Sequence, residues 1–335
     1  MRYLLYAYPD WLIQSYKLNP ELEKDPIKHS ALPRLMHSGL TNWMRVFEGV
    51  GDVPNDISQY QRYDVIHMNM TTHNVGYVKR LRSHFEMLDT EPPKIVVNPD
   101  YAPEMWYFDG RTDLFLEDVS KADRVFTVHP TISRTLSELL GKHVYTVPHP
   151  TDVTLMKKEL GKVRETDPLE GRTLLVIAHS YDRNYLIPTW LIKMMQATVD
   201  FKAVMVGKIE REHMFLKTVY DEFYEVLPFP ALINLIARVD CVIDTSILHS
   251  YGRVPVECAA VGTPCITHPT VYSGQVLFPD LQTDLLDARG LRHMIERVFE
   301  GDCSLARDPE YFGYEQSRTR FLNMVEGREE VSDEG

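Results

Sequence analysis

The chain alternates short apolar runs rich in β-branched residues with stretches of helical periodicity along most of its length. Strands that alternate with helices are typical of a parallel sheet covered by helices on both faces. We therefore expect an α/β fold. In the first half, strands are predicted at residues 3–8, 64–68, 94–98, 124–128 and 143–147.

Helical periodicity separates these strands at residues 39–49, 76–88 and 130–140. The third of these helices is predicted to begin at Pro130. Thr131 and Ser133 follow, and their hydroxyls are predicted to cap the helix. Residues 1–150 are thus expected to form one doubly wound, Rossmann-like domain.

The pattern becomes polar and charged at residues 151–172, which predicts a linker. Beyond it the alternation restarts, with strands predicted at 173–178, 202–206, 241–244 and 264–267 and helices at 186–197, 213–224, 230–238, 254–261 and 289–299. We expect a second Rossmann-like domain over residues 151–310, facing the first across a central cleft where ligands of such folds bind. Residues 311–335 are expected to be a polar C-terminal tail, with a return to the first domain as one option.

The composition excludes several classes of protein. The 335 residues carry 48 Asp and Glu against 36 Lys and Arg, a net charge of −12. An acidic chain repels phosphate polymers, so we expect no non-specific nucleic-acid binding. No apolar run approaches the roughly 20 residues that cross a bilayer, and the first residues are interpreted as a strand rather than a signal peptide. The sequence predicts a cytoplasmic protein without a transmembrane segment.

Metal and disulfide chemistry have little support in the sequence. Cys241, Cys258, Cys265 and Cys303 form no Cys-x-x-Cys pair, and the apolar neighbours of the first three favour buried, reduced thiols. Several of the 13 histidines follow strands or neighbour prolines, without the paired spacing on one element that a zinc site requires. We predict no metal site.

The most informative segment is residues 240–274, DCVIDTSILHSYGRVPVECAAVGTPCITHPTVYSG. A strand runs into a loop of small residues and then into a helix that carries Glu257 one turn after its start. The N-terminus of a helix offers free N–H groups and a partial positive charge, which favour an anion. Glu257 is placed to accept hydrogen bonds from the vicinal hydroxyls of a ribose. An ordinary helix with a Glu that interacts with its dipole fits the same residues equally well.

Two common nucleotide motifs are missing from the sequence. Neither half has Gly-x-Gly-x-x-Gly after its first strand, and Gly-x-x-x-x-Gly-Lys-[Ser/Thr] occurs nowhere. Dinucleotide redox chemistry and P-loop phosphoryl transfer therefore lose their main support.

The 240–274 segment resembles the nucleotide-sugar site of the retaining glycosyltransferases with the two-domain GT-B fold, in particular glycosyltransferase family 4 (group 1). The pattern of that family is Glu, seven residues, Glu, then Ala-x-x-x-Gly-x-Pro. The matching positions here are Ser246, Tyr251, Gly252, Pro255, Glu257, Ala259, Gly262 and Pro264. The sequence departs from the pattern at His249, which stands where the first Glu of the family usually stands.

Weaker matches follow in the same order over residues 1–300. VPHPTD at 147–152 resembles the end of the family's first domain, and LLVIAHSYDRNYL at 174–186 resembles the first strand and loop of its donor domain. KAVMVG at 202–207 resembles a strand that ends in glycine beside the base, and HSGLTNWMRVF at 37–47 resembles the glycine loop and helix after the first strand. This collinear order argues against coincidence.

The resemblance implies roles for the residues at these positions. Glu257 would bind the ribose hydroxyls, and Arg183 would bind the donor phosphates. Gly252, through its backbone, and Arg253 would hold the remaining phosphate charge. No metal is required, because guanidinium groups and helix-end donors can stabilise a departing diphosphate.

Further site residues come from the weaker matches. Ser180, or its neighbour His179, occupies the position of an Arg in the family's phosphate grip. Gly207 would lie beside the base, and Gly39 would belong to the glycine loop. His249 would face the donor sugar or its leaving group, where an imidazolium could supply positive charge.

The first domain binds the acceptor in this family. His129 and Asp100 each follow a predicted strand of that domain, so either one is a candidate to orient or deprotonate an acceptor hydroxyl. A packing or capping role explains each of them at least as well.

The resemblance therefore implies a metal-independent, retaining hexosyltransferase that uses a nucleotide-sugar donor and no other cofactor. A UDP-sugar is the favoured donor and a GDP-sugar the alternative, while the acceptor is open among a saccharide, a protein and a modified DNA base. Two other functions stay open. One is a nucleotide-sugar epimerase or hydrolase of the same fold, and the other is a sugar-nucleotide-binding protein that has lost catalysis, to which His249 in place of Glu points.

Overall fold

The structure, a computed structural model, describes residues 1–7, 39–47, 50–51, 57–70, 75–88, 91–99, 110, 112–163, 169, 171–178, 185–207, 211–225 and 227–328. These residues divide into two compact units. The first unit holds the described residues up to Thr151 together with residues 312–328, and the second holds the described part of Asp152–Tyr311.

The strands of the described residues are β1 (Tyr3–Ala7), β2 (Val50–Gly51), β3 (Val65–Met70), β4 (Lys94–Pro99), β5 (Arg124–Thr127), β6 (Tyr145–Thr146), β7 (Thr173–Ala178), β8 (Lys202–Gly207), β9 (Glu222–Tyr224), β10 (Cys241–Asp244) and β11 (Cys265–Ile266). The α-helices are α1 (Gly39–Val46), α2 (Tyr77–Glu86), α3 (Thr112–Ser120), α4 (Pro130–Leu140), α5 (Val153–Val163), α6 (Leu186–Met195), α7 (Phe229–Ile236), α8 (Arg253–Val261), α9 (Tyr272–Leu277), α10 (Ala288–Phe299) and α11 (Tyr314–Glu326). Short 3₁₀ helices lie at Ile57–Arg62, Arg211–Val219, Pro279–Leu281 and Pro309–Phe312.

The strands form two parallel sheets, one in each unit. The first sheet has the order β2-β1-β3-β4-β5-β6 and the second the order β11-β10-β7-β8-β9. In the second sheet the order reverses between β7 and β10, and ligands of doubly wound folds bind at such a switch point, beyond the carboxyl ends of the strands. The predicted α/β fold with two parallel, Rossmann-like sheets is confirmed.

The first sheet buries a different set of side chains on each face, as the two-residue period of a strand dictates. One face carries Leu4, Ile66, Ile95 and Val125, which belong to a core shared with apolar residues of α2, α3 and α4. The other face carries an aromatic cluster around Phe321 of α11, defined here as Tyr3, Trp43, Phe47, His67, Phe126 and Phe321.

Helix α11 completes the first unit from the far end of the chain. Thr151 N donates to Phe312 O at 2.9 Å, and Lys94 and Arg124 donate to the last carbonyls of the helix, Val325 O and Met324 O, each at 3.0 Å. The sequence interpretation of residues 311–335 as a polar tail missed this helix. Its buried residues Ser317, Phe321 and Met324 recur at helical spacing but stand among charged residues that hide the pattern.

The predicted linker at 151–172 is wrong over its first half, where α5 lies. Val153 and Met156 of α5 are buried, and the helix packs against α7 and α8. A narrow apolar stripe on a charged segment is enough to dock a helix on one side.

Two further details of the secondary structure differ from the prediction. The helix predicted at 213–224 is a 3₁₀ helix followed by β9, an edge strand of three residues. The cap of α4 is the side chain of His129, whose Nδ1 accepts from Thr131 N at 3.1 Å, whereas the Ser133 hydroxyl donates to Tyr145 O at 2.9 Å. Thr131 supplies the capped amide rather than the capping oxygen.

None of the helices that the structure describes is long and apolar enough to span a membrane.

Replacing Phe321 with Ala should destabilise the first unit by about 3–5 kcal/mol, because a large buried side chain leaves a cavity. Phe321 is fully buried, with ring centroids 5.0 Å from those of Trp43 and Phe47. Hydrogen exchange of peptides that cover β1 and β3 measures the loss. Phe215→Ala, at a side chain 64% exposed, is the control and should shift stability by less than about 0.5 kcal/mol. Equal effects of the two variants would contradict the packing described.

The first unit should also lose stability in mild acid. Burial lowers the pKa of His149 from 6.5 to about 4. Between these two pH values the unfolded chain therefore binds more protons at this residue than the folded chain does. Stability therefore falls as the pH falls from about 6.5 towards 4, by ~3 kcal/mol in total for this group.

Hydrogen exchange of β3 at pH 7 and pH 5, corrected for the intrinsic rates, measures this pH dependence. His149 Nδ1 accepts from Trp43 Nε1 at 3.1 Å, and His149→Asn keeps an acceptor without a titrating ring. The variant should depend less steeply on pH, by about one proton. An unchanged slope would assign the acid sensitivity to other groups, such as His67, whose pKa is also lowered by burial.

Candidate functional site

The candidate site lies in the second unit, where the chain leaves β10. Asp244, Thr245 and Ser246 are buried there. The hydroxyl of Thr245 donates to Ile177 O of β7 at 3.0 Å, and Ser246 N lies 3.3 Å from Asp244 Oδ1. These bonds fix the start of the loop at residues 245–252 against the carboxyl end of β7, at the switch point of the sheet.

Helix α8 follows this loop and begins without a side-chain cap. Its N-cap is Gly252, and the first turn contains Arg253 and Pro255. Because glycine has no side chain to accept from the first amides, an external acceptor can reach them. A helix start of this kind favours an anion.

A buried ion pair joins the first two turns of α8. Arg253 Nε lies 3.0 Å from Glu257 Oε1, and the side chains are 21% and 0% exposed. A cation at a helix N-terminus interacts unfavourably with the helix dipole, and Glu257, one turn further on, offsets that cost. The pair holds a guanidinium at the start of the helix, partly open to solvent.

The 245–252 loop is joined to residues 270–273 by backbone hydrogen bonds. Ser250 N donates to Thr270 O at 3.4 Å, Tyr272 N to Ser250 O at 3.0 Å, and Ser273 N to Tyr251 O at 2.9 Å. The buried Ser273 hydroxyl donates to Gly252 O. This pairing sets the position of the backbone from which α8 begins.

Gly252 is required at its position for two physical reasons. Its φ is +75°, in the region that favours glycine. A Cβ there would lie 2.2 Å from Cγ1 of Val271 and 2.8 Å from Oγ of Ser273. The close backbone approach thus depends on a residue without a side chain.

His249 lies in the same loop, partly buried. It is close enough to His268 that its charge contributes to lowering the pKa of that ring. The predicted role of His249 towards a donor sugar stays a prediction.

Gly207 ends β8 in the strand pair β7–β8. A Cβ on Gly207 would lie 1.9 Å from the carbonyl oxygen of Ala178. Close packing of the two strand ends is therefore sufficient reason for glycine, and its predicted place beside a base stays a prediction.

Two of the site residues predicted for the first unit, Gly39 and His129, occupy ordinary structural positions. Gly39 is the first residue of α1. His129 is 1% exposed and caps α4, so the structure accounts for it without a substrate. Asp100, Arg183, His179 and Ser180 lie outside the described residues, and their roles stay predictions.

The structure thus brings Gly252, Arg253 and Glu257 together at the start of α8, with His249 in the preceding loop. Sequence reasoning missed Thr270 and Ser273, which hold that loop. Small polar residues in a turn give no signal of the segment they pair with, and only the family spacing around Gly252 pointed to this region.

The described residues contain no group of three or more His, Cys, Asp or Glu side chains placed to hold a metal ion. All four cysteines are free thiols. Burial raises the pKa of the Cys258 and Cys265 thiols, which makes them poor nucleophiles.

Comparison with known proteins gives similarity in structure alone. The sequence matches no family model, and it matches no curated protein. The HepE protein of Anabaena, solved in complex with UDP, superposes with a TM-score of 0.65 at 13% identity, over 98% of this chain and 100% of that one. An α,α-trehalose 6-phosphate synthase of Burkholderia multivorans gives 0.64 at 9% identity, over 97% and 98%. A glycosyltransferase of Rickettsia africae gives 0.57 at 13% identity, over 97% and 94%.

These similarities extend over nearly the whole of each chain and show that the protein has the GT-B fold of glycosyltransferases. Function is a property of the site rather than of the fold.

Replacing Gly252 with Ala should destabilise the second unit by more than the ~1–2 kcal/mol that a left-handed backbone costs a residue with a Cβ. The excess comes from the clash with Val271 and Ser273. Gly262→Ala is a matched control, because its φ is +82° and no described heavy atom lies within 4 Å of the added Cβ. Urea unfolding of both variants measures the difference. Equal losses would show that the Gly252 backbone can move away at no cost.

Proposed function

We propose that the protein is a glycosyltransferase that moves a hexose from a nucleotide-sugar donor to an acceptor hydroxyl, with retention of configuration and without a metal. The observation that carries the proposal is the start of α8, where an uncapped helix end, a guanidinium and a buried carboxylate meet at the switch point of the second sheet. The likeness to solved structures with the GT-B fold supports the assignment of a donor site to this position.

The diphosphate of the donor is assigned to the uncapped start of α8. Its first amides and Arg253 offer N–H donors and positive charge to one anion, and charge-assisted bonds of this kind are stronger than neutral ones. Arg183 and Ser180 would complete the phosphate contacts from the segment that follows β7.

The ribose is assigned to Glu257. A carboxylate has acceptor sites beyond the one that faces Arg253, so Glu257 can keep its ion pair and still accept from vicinal hydroxyls. The same ion pair orients the carboxylate inside the protein, where a carboxylate without a partner would be costly.

The chemical step would depend on stabilising the diphosphate as it leaves. Negative charge grows on the leaving group as the glycosidic bond breaks, and preorganised donors at Arg253 and α8 stabilise that charge more than they stabilise the bound substrate. His249, when protonated, would add positive charge in the place of the family's Glu. This arrangement supports transfer without a metal.

UDP is the nucleotide favoured for the donor. The HepE structure, which shares the fold over the whole chain, holds UDP. A GDP-sugar is the alternative. For the acceptor, a saccharide, a protein or a modified DNA base remain the candidates, bound by the first unit with Asp100 and His129 as proposed acceptor-side residues.

Arg253→Gln should weaken UDP binding by about 10- to 100-fold, because one charge-assisted hydrogen bond is worth roughly 1.5–3 kcal/mol. Titration calorimetry with UDP measures the change. The control is Arg292→Gln in the exposed i,i+4 pair that Arg292 and Glu296 form on α10, which should leave the affinity unchanged. Wild-type affinity in the Arg253 variant would remove the phosphate role of this residue.

Release of UDP from a panel of UDP-hexoses, in excess chelator and with candidate acceptors, tests the proposed reaction. We expect release that increases with the correct acceptor and yields an α-linked product from an α-linked donor. Release without transfer would identify a hydrolase, an epimerised donor would identify an epimerase, and tight binding without release would identify a binding protein. Activity that returns only on addition of magnesium or manganese would contradict metal-independent transfer.

A further inference from the structure

His268 lies two residues after β11 and connects two segments of the second unit. Its Nε2 is 3.6 Å from Asp284 Oδ1, and its Nδ1 is 2.8 Å from Thr270 Oγ1. The ring is 19% exposed. It is therefore a largely buried contact between its own turn, at Thr270, and Asp284, which stands 16 residues further along the chain.

The contacts continue from Thr270 into the candidate site. The Thr270 hydroxyl donates to Ile247 O at 3.2 Å, and Ile247 stands two residues before His249 in the 245–252 loop. After His249, Ser250 is bonded to Thr270 and Tyr272 through its backbone. The Thr270 segment thus holds the loop on both sides of His249.

Asp284, on the other side of the His268 ring, lies in the turn that leads into α10. Asp284 Oδ1 accepts from Leu286 N at 2.9 Å, and Asp284 O accepts from Asp287 N at 2.9 Å. Asp287 in turn caps α10 by accepting from Arg289 N at 3.0 Å. The turn thus fixes the carboxylate of Asp284 beside the ring of His268.

The surroundings of His268 shift its pKa in opposite directions. Burial lowers the pKa of the ring and the nearby His249 lowers it further, while Asp284 raises it. The net effect is a pKa below the ordinary value, so the ring is neutral at pH 7. A neutral ring carries one proton. With that proton on Nδ1 the ring donates to Thr270 Oγ1, which leaves the Thr270 hydroxyl free to donate to Ile247 O, and Nε2 then packs beside Asp284 without a hydrogen bond.

We propose that His268 is a positioning residue, which holds the backbone on the N-terminal side of His249 through Thr270 and thereby sets where His249 and the start of α8 meet the leaving group. The inference rests on the proposed function. His268 itself touches no substrate in this scheme. Its effect reaches the reaction through the Ile247 carbonyl, and a displacement of catalytic groups by about 1 Å can cost roughly 100-fold in rate.

The experiment compares His268→Ala, His268→Asn and His268→Gln. The amide of Asn reaches the place of Nδ1 and can keep the bond to Thr270, whereas the amide of Gln reaches the place of Nε2 and faces Asp284. His293→Ala, at an exposed position of α10, is the control. Each variant is measured for kcat and KM with the UDP-hexose that the wild type uses, for UDP affinity, and for hydrogen exchange of the peptide over residues 245–252.

We expect His268→Ala to lower kcat by at least about tenfold, with UDP affinity within about threefold of wild type and faster exchange in the 245–252 peptide. Asn should recover most of kcat and Gln should not. Wild-type kcat and loop exchange in His268→Ala would overturn the proposal. So would equal falls in kcat and UDP affinity, which would mark a general structural role, and so would rescue by Gln rather than by Asn.

The failure of the proposed function is distinguishable from the failure of this inference. A wild type that neither binds UDP nor releases it from a UDP-hexose refutes the function. In that case the exchange of the 245–252 peptide still decides whether His268 holds the loop: unchanged exchange in His268→Ala refutes the positioning role as well.

Discussion

The approach of the Gly252 backbone to Val271 and Ser273 is the contact on which the candidate site depends. A Cβ at residue 252 would lie within 3 Å of both neighbours, and the Ser273 hydroxyl donates to the Gly252 carbonyl. The loop that carries His249 can therefore pair with residues 270–273, and α8 starts where this pairing ends. The places of Arg253 and Glu257 follow from the start of that helix.

The described α-helices of this protein begin in different ways. Helix α4 is capped by His129 and α10 by Asp287, each of which accepts from a backbone amide of the first turn. Helix α8 has a glycine N-cap without a side-chain cap bond, as α2 and α11 do, but its first residue is an arginine, a cation that opposes the helix dipole. Residues that disfavour the local structure concentrate at functional sites. An anion bound at the start of α8 would offset the unfavourable positive charge there.

Much of the architecture could be predicted from periodicity, because buried strands and helices repeat their apolar residues regularly. The bounds of β7, β10 and α4 agree with the sequence prediction. Helices α5 and α11 were missed because each buries only a narrow stripe, at Val153 and Met156 or at Phe321 and Met324, within a charged segment. For the site, the spacing around Gly252 and Glu257 gave the start of α8. The link from His268 through Thr270 to Ile247 joins loops that have no period, so no pattern in the sequence could reveal it.

The return of α11 to the first unit separates the order of synthesis from the order of folding. Phe321 fills the aromatic cluster on one face of the first sheet, yet it is made about 190 residues after β5, the last strand to contribute a ring to that cluster. At 5–20 residues per second, translation needs roughly 10–40 s to cover that distance. During this interval the aromatic cluster on one face of the nascent sheet lacks Phe321, and most of the second unit is made. The first part of the protein to be made is thus the last to be finished.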